Sequence, residues 1–193
     1  MNANRREQII HMAANLFLDR GYTAVTMRDL AQELGIKASS LYNHISSKEE
    51  ILSAIVMGLA EEFSRHIEQV AQEDWGSVAK MEALIAMHVD TTLDKTSALA
   101  CMNREWKFLD PDSRKRYLEL RNAYEAQFLA IVQQGMRQGE LKRRDPHIFS
   151  YSTLSVLRTL YHWYNKEEGF SKEKIKEGLV QNLLLGIVER PLL

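Results

Sequence analysis

A short polar stretch, residues 37–44, carries the side chains best suited to contacting another molecule. Its sequence is KASSLYNH, in which Leu41 is the only large aliphatic residue. Hydroxyl, amide and imidazole groups can contact base edges or phosphates, and small neighbours allow the close approach that a DNA groove requires. We therefore expect DNA contacts from this stretch. The predicted contacts are Lys37, Ala38, Ser39, Ser40, Tyr42, Asn43 and His44.

Two short helices joined by a tight turn are expected to hold this stretch in place. Ala31 lies where the two helices would touch and only a small side chain fits, and Gly35 takes the turn position where a positive φ is needed. Apolar residues recur at positions that would pack the second helix onto the first: Leu30, Leu34, Ile36, Leu41 and Ile45. This pattern predicts a helix-turn-helix that binds specific DNA sequences. A solvated turn in an unrelated helical bundle is the alternative.

Helix starts are marked by two pairs with capping-box spacing, Thr26 with Asp29 and Ser46 with Glu49. The formal net charge is −1, and residues 1–46 hold five Lys or Arg against four Asp or Glu. The DNA-binding prediction therefore rests on the pattern of residues and not on charge. Local contacts from side chains outside residues 37–44 are expected at Arg5, Arg6, Thr26, Arg28 and Lys48.

Residues 35–44 read GIKASSLYNH, and they are followed by SKEE at 47–50 and by Leu52. This stretch resembles the signature of the TetR family of bacterial repressors. The likeness spans about residues 5–60. Two positions depart from the family pattern: Ile45 replaces a usual phenylalanine, and Lys37 replaces a serine or threonine that often caps the recognition helix, so a cap worth ~1 kcal/mol is expected to be missing. The resemblance implies a three-helix head, a body that holds a small inducer, and a homodimer on a palindromic operator.

Long helices are expected in the rest of the chain. Apolar residues repeat every three or four positions after Lys48, which predicts a helix at about 48–71 and makes it the only continuous connection from head to body. Further helices are predicted at about 77–92, 95–108, 113–138, 146–164 and 171–188. The expected fold is all-α with about nine helices. We predict a DNA-binding domain at 1–50 and a ligand-binding and dimerisation domain at 51–193.

The last two helices are apolar around more than one face, which predicts that one face packs inside the subunit and another is covered by a second copy. Both helices as central core elements of a monomer are the alternative. The resemblance favours the dimer, because TetR-like repressors pair through their last two helices. Predicted interface residues are Leu154, Leu157, Tyr161, Leu179, Leu183 and Ile187.

A small-molecule site is expected among the middle helices, where methionines and aromatic residues fill either a pocket or an ordinary core. Arg104, Arg121 and Arg158 lie among apolar neighbours, and a buried guanidinium needs an anion, supplied by a ligand or by a carboxylate such as that of Glu105, Glu119 or Glu125. The other predicted ligand contacts are Met87, Met102, Trp106, Tyr124, Phe128, His162 and Trp163.

The order of residues from Asn103 to Gly186 is similar to the C-terminal domain of TetR-type regulators of fatty-acid, steroid and aromatic-acid degradation. Several members of that group respond to acyl-CoA thioesters, so the resemblance implies an acyl-CoA effector. A repressor that senses an aromatic or cationic drug-like compound is the alternative.

Other classes of protein find little support in the sequence. The single cysteine, Cys101, excludes an internal disulfide and is expected to be buried and inert. No GxSxG, Walker or HExxH motif and no ligand-spaced histidine group is present, so neither an enzyme nor a metal or cofactor site is predicted. A helical binding module without DNA activity is a remote alternative. No run approaches the ~18 apolar residues of a membrane span, and a cytoplasmic bacterial protein is expected.

Overall fold

The structure, a computed structural model, describes residues 2–164 and 170–184 and confirms the all-α fold. Within these ranges the chain forms nine α-helices and no β-strand. Short 3-10 turns, Trp106–Phe108 and Leu160–His162, continue α6 and α8. The helices are α1 Asn2–Arg20, α2 Met27–Glu33, α3 Ala38–Tyr42, α4 Lys48–Gln72, α5 Ser77–Asp94, α6 Thr96–Glu105, α7 Pro111–Gln138, α8 Pro146–Thr159 and α9 Lys172–Leu184.

The helices belong to two compact units. The first unit comprises residues 1–61 and 95–119, and the second comprises residues 62–94 and 120–193. These boundaries differ from the predicted division after residue 50, because α6 packs against α1 within the first unit. Both α4 and α7 have residues in both units, so the predicted helix at 48–71 is not the only continuous connection. That residues 1–50 act as the DNA-binding domain stays a prediction.

The first unit contains the predicted helix-turn-helix. Leu30, Leu41 and Ile45 are fully buried between α2 and α3, and Ala31 is buried where these two helices meet. Gly35 has a φ of 63°, the left-handed conformation that the tight turn requires and that glycine adopts without strain. The short α3 therefore keeps a fixed orientation on α2 although it has only five residues.

Helix capping is as predicted at α2 and differs from the prediction at α4. The Thr26 hydroxyl accepts from the Asp29 N–H at 3.2 Å, and the Asp29 carboxylate accepts from the Thr26 N–H at 2.8 Å, which completes the predicted capping box. The predicted pair of Ser46 and Glu49 is wrong by one residue. The Glu50 N–H donates to the Ser47 hydroxyl at 3.1 Å, because α4 begins at Lys48 and Ser47 is then the N-cap.

In the second unit, α5 packs against α8 and α9. Met81, Leu84 and Ile85 of α5 are fully buried. Ion pairs add to this contact: the Lys172 ammonium lies 2.9 Å from Asp94 Oδ2, while the ammonium groups of Lys172 and Lys176 lie 3.2 and 2.8 Å from Asp90 Oδ1. The described part of α9 is therefore attached to α5 by both apolar and ionic contacts.

Two further expectations concern α7 and Cys101. The α7 helix begins at Pro111, two residues earlier than predicted, because Asp110 Oδ1 accepts from the N–H groups of Asp112 and Ser113. Cys101 is buried as expected, and burial raises the pKa of its thiol to about 12. Among residues 2–164 and 170–184, no helix has the length and apolar character needed to cross a membrane.

Candidate nucleic-acid interface and buried polar cluster

The α3 helix presents its polar face to solvent. Leu41 is fully buried and holds α3 to α2, which turns Ser39 and Tyr42 outwards, and Tyr42 is 53% exposed although it is a large aromatic residue. Lys37 and Asn43, on either side of the helix, are also exposed. The remaining predicted contacts in this stretch, Ala38, Ser40 and His44, are half-buried. Close approach of α3 to a groove is therefore possible without rearranging its buried side.

Cationic side chains flank this face. Arg28 on α2 and Lys37 are exposed, and Lys37 forms no side-chain cap on α3, as its sequence position suggested. The other two arginines have partners within the first unit. Arg5 donates to Gln8 Oε1 at 3.0 Å, and Arg6 Nη2 lies 3.0 Å from Glu50 Oε1. The Thr26 hydroxyl is engaged in the α2 cap.

Lys48 has a structural position that was not expected. Its ammonium donates to the carbonyl oxygens of Tyr22 and Val25 at 2.9 and 2.8 Å and lies 4.3 Å from the centre of the Tyr22 ring. Two of its three N–H donors are thus used to fix the turn between α1 and α2 to the start of α4. These contacts give Lys48 a role in the fold, and its contact with a DNA phosphate stays a prediction.

Tyr22 is the aromatic residue around which this turn is built. Its ring packs edge-on against Phe17 at 5.2 Å and stacks on Phe108 at 5.5 Å. Burial and the neighbouring Glu49 carboxylate, to which the hydroxyl donates at 3.4 Å, raise the pKa of Tyr22 to about 12. The tyrosine therefore stays neutral, and its ring supplies the electron-rich face that the Lys48 ammonium contacts.

A buried polar cluster lies in the second unit. His88 on α5 and Tyr124 on α7 are only 7% and 6% exposed, and His88 Nε2 is 2.9 Å from the Tyr124 hydroxyl oxygen. The Phe63 ring lies 4.5 Å from the imidazole and 6.0 Å from the phenol ring. The Phe63 ring thus packs beside a hydrogen-bonded pair of side chains.

The electrostatic environment keeps this pair uncharged. Burial, with smaller contributions from the positive charge of Arg158 and from His66, lowers the pKa of His88 to about 3. Burial also raises the pKa of Tyr124 well above its ordinary value, and Arg158 opposes part of that rise. At neutral pH the cluster therefore offers a neutral imidazole and a protonated phenol.

The three arginines predicted to lie in apolar surroundings differ from one another. Arg158 Nη2 lies 2.6 Å from Glu125 Oε1, and Arg121 Nε lies 3.8 Å from the same oxygen, so a carboxylate of the chain is a partner of both. Arg104 is exposed and belongs to the first unit, where it donates to the Leu18 carbonyl at 3.4 Å. The expectation of a buried Arg104 is wrong, because its position on α6 faces solvent.

The other predicted ligand contacts are distributed over the two units. Tyr124 and Phe128 are buried in the second unit, where Met87 is half-buried, whereas Met102 and Trp106 belong to the first unit. His162 is exposed, and Trp163 is 38% exposed.

His88 and Phe63 were not among the predicted contacts, although a sequence signal for His88 exists. His88 continues the apolar stripe of α5 that begins at Met81 and includes Leu84 and Ile85. A polar residue at such a position is expected to be buried with a partner.

The exposed apolar face of α8 differs from the one predicted. Leu154 and Leu157, together with Leu179 on α9, are at most 8% exposed within the single chain and so offer little surface to a second copy. Tyr161 and Leu183 are half-buried, and Ile187 lies outside the described residues. The apolar side chains that α8 leaves exposed are Ile148, Tyr151 and Val156, at 68%, 56% and 36%.

Lowering the pH from 7 to 5 is expected to reduce the free energy of unfolding by ~2 kcal/mol through His88. The folded state keeps His88 neutral down to about pH 3, whereas the unfolded chain binds a proton near pH 6.5. The unfolded state therefore binds more protons in this window, and acidification favours it. Urea unfolding at pH 7, 6 and 5 measures the slope. His88→Gln should remove the contribution of His88 to this pH dependence and leave the contribution of His66. An unchanged slope of the free energy of unfolding against pH in His88→Gln would contradict the prediction.

Two protein-family models match this chain. Residues 9–55 match the family model for bacterial regulatory proteins of the tetR family, and residues 74–187 match the tetracyclin repressor-like C-terminal domain. The HTH-type transcriptional repressor KstR2 of Rhodococcus jostii (strain RHA1) is 30% identical over 141 residues, covering 72% of this chain and 69% of that protein.

Solved structures share the fold. The ketosteroid transcriptional regulator KstR2 of Mycobacterium tuberculosis superposes with a TM-score of 0.90 at 19% identity, over 96% of both chains. AibR, crystallised in complex with isovaleryl coenzyme A and operator DNA, superposes with a TM-score of 0.80 at 24% identity, over 93% of this chain and 98% of AibR. With both family models matched along the sequence, the chain belongs to the TetR family of bacterial transcriptional regulators.

Proposed function

We propose that this protein is a cytoplasmic repressor that binds a palindromic operator as a homodimer and releases it when a small-molecule effector binds. The observation that carries the proposal is the exposed polar face of α3, held by buried Leu41 and flanked by exposed Lys37. A recognition helix in the major groove needs this combination of a fixed buried side and a free polar side. The role is regulatory and not catalytic, in keeping with the transcriptional regulators that the chain resembles.

Homodimer formation is supported by the exposed apolar side chains of α8. Ile148 and Tyr151 are more than half exposed and lie three residues apart on one face of the helix. A two-fold pair would bury this face and would space two recognition helices ~34 Å apart, one helical turn of DNA. A single α3 contacts too few base pairs to specify an operator.

An acyl-CoA thioester is the effector that we propose. AibR shares the fold and was crystallised with isovaleryl coenzyme A and operator DNA, and the chain also resembles KstR2 repressors. The alternative is an aromatic or cationic drug-like compound, and a cationic one would need an acidic partner. The half-buried Glu125 carboxylate already contacts Arg158 at 2.6 Å, which favours an effector without positive charge.

Operator binding is expected to fall by ~1 to 3 kcal/mol in Tyr42→Ala and in Asn43→Ala, because each removes a side chain that faces the groove. Fluorescence anisotropy with the intergenic DNA upstream of the protein's own gene measures this directly. Trp75→Ala provides a matched control, since Trp75 is a 47% exposed aromatic residue in the second unit and should leave operator affinity unchanged. Wild-type affinity in both α3 variants would exclude these two residues from the interface.

Effector release is tested by titrating isovaleryl-CoA calorimetrically with and without operator. Coupling between the two sites must be reciprocal, so operator should weaken isovaleryl-CoA binding by the same factor, typically ~1 to 3 kcal/mol, by which isovaleryl-CoA weakens operator binding. Displacement of DNA by neutral or cationic aromatic compounds, with no binding of isovaleryl-CoA or longer acyl-CoAs, would establish the alternative effector instead.

A further inference from the structure

We propose that His88 and Tyr124 form the subsite that recognises the thioester carbonyl of the effector, with Tyr124 as the direct contact and His88 as the residue that positions it. This assignment rests on the proposed function, since it concerns the effector of the same repressor.

The hydrogen bond between His88 and Tyr124 contributes little to the stability of the fold. His88 Nε2 and the Tyr124 hydroxyl oxygen lie 2.9 Å apart, and the Phe63 ring packs beside both side chains. A hydrogen bond between two buried side chains contributes little net stability, and replacing both partners by apolar groups of the same shape is nearly neutral. The hydrogen bond therefore adds little to the stability of the fold, and a ligand with a polar atom would give the pair a further role.

The two side chains together can still donate one hydrogen bond to a ligand. When His88 Nε2–H donates to the Tyr124 hydroxyl oxygen, the Tyr124 hydroxyl proton can be donated to a further acceptor. A carbonyl oxygen is such an acceptor. The imidazole then fixes the direction of the phenol O–H bond, which is the role of a positioning residue.

The charges near the pair also influence which ligand group it would accept. Arg158 is close enough for its positive charge to act on both groups, and it lowers the pKa of His88 and opposes the rise in the pKa of Tyr124. This positive potential favours the partial negative charge of a carbonyl oxygen and disfavours a cationic group. Glu125 Oε1, 2.6 Å from Arg158 Nη2, balances part of this charge, and burying a carboxylate or phosphate beside the uncharged pair costs more than burying a neutral carbonyl group.

The side chains beside the pair also suit a hydrocarbon chain. The Phe63 ring lies 4.5 Å from His88, and Phe128 is fully buried one turn beyond Tyr124 on α7. Such walls suit the hydrocarbon chain next to a thioester. Since the pair is buried, a carbonyl can reach it only when side chains between α5 and α7 rearrange. A ligand that binds only the rearranged packing shifts the population towards it, which is what release of DNA requires.

A matched pair of compounds tests the carbonyl contact. Isovaleryl-CoA and its thioether analogue S-(3-methylbutyl)-CoA differ only in a C=O that becomes CH2. We expect the wild-type protein to bind the thioester about 10- to 100-fold more tightly, since the analogue leaves the buried phenol donor unsatisfied. In Tyr124→Phe, affinity for the thioester should fall by that factor and the two compounds should bind equally.

Tyr117→Phe is the control, because Tyr117 is also a buried tyrosine on α7 but belongs to the first unit. It should keep wild-type discrimination, and circular dichroism shows that Tyr124→Phe is folded. His88→Leu should reduce discrimination by releasing the phenol O–H. Equal binding of both compounds to wild type, or undiminished discrimination in Tyr124→Phe, overturns this subsite and leaves the repressor function intact. If wild type binds neither compound and also does not bind longer acyl-CoAs, the acyl-CoA effector is overturned, and the subsite with it.

Discussion

Lys48→Met is expected to lower the free energy of unfolding by about 2 to 4 kcal/mol and to weaken binding to all operator sequences. Methionine keeps most of the side-chain length but removes the ammonium, which donates to the Tyr22 and Val25 carbonyls at 2.9 and 2.8 Å. Both carbonyl groups lose a charged donor, and the Tyr22 ring loses its cation. The turn that leads into α2 is then no longer fixed to the start of α4.

Urea unfolding and operator titration over a range of salt concentrations distinguish this role from a phosphate contact. Lys37→Met is the matched control, since Lys37 is exposed and its side chain caps nothing. It should leave stability unchanged and reduce the slope of log affinity against log salt by about one. If Lys48→Met behaved in the same way as Lys37→Met, with full stability and a reduced salt slope, the structural role would be wrong and the phosphate contact correct.

Local features of the helix-turn-helix were predictable because they depend on near neighbours in sequence. The Thr26–Asp29 cap and the positive φ of Gly35 follow from residue type and spacing alone. The role of Lys48 was not predictable in this way. Its acceptors are backbone carbonyls 23 and 26 residues earlier, and every residue has such a group, so no side-chain pattern marks them.

The same distinction applies to the second unit. The bounds of α5 and the starts of α8 and α9 were predicted to within two residues, and the predicted end of the last helix at 188 lies outside the described residues. The contact of His88 with Tyr124 was not predictable in this way, because the two residues are 36 positions apart and meet only when α5 and α7 are packed. On α8, apolar residues surround more than one face, and periodicity does not say which face the chain itself covers. The structure places Leu154 and Leu157 inside and leaves Ile148 exposed, so the surface available to a second copy lies on a different face from the one predicted.

Ile148→Glu is therefore expected to yield a folded monomer whose operator affinity is lower by a factor of about 10² to 10⁴, the usual gain from linking two binding sites. Ile148 is 68% exposed in the single chain, so a carboxylate there costs the fold little, whereas burial against a second copy would leave that charge unpaired. Leu154→Glu should instead unfold the second unit, because Leu154 is 1% exposed.

Sedimentation velocity at micromolar concentration measures the assembly state, and circular dichroism confirms that Ile148→Glu is folded. Trp75→Glu is the control, since Trp75 is also an exposed apolar residue of the second unit but lies in the connection between α4 and α5. It should remain dimeric and bind operator as the wild type does. A dimeric Ile148→Glu with full operator affinity would show that this face of α8 is not the interface, and the half-buried Leu183 on α9 would then be the next residue to replace.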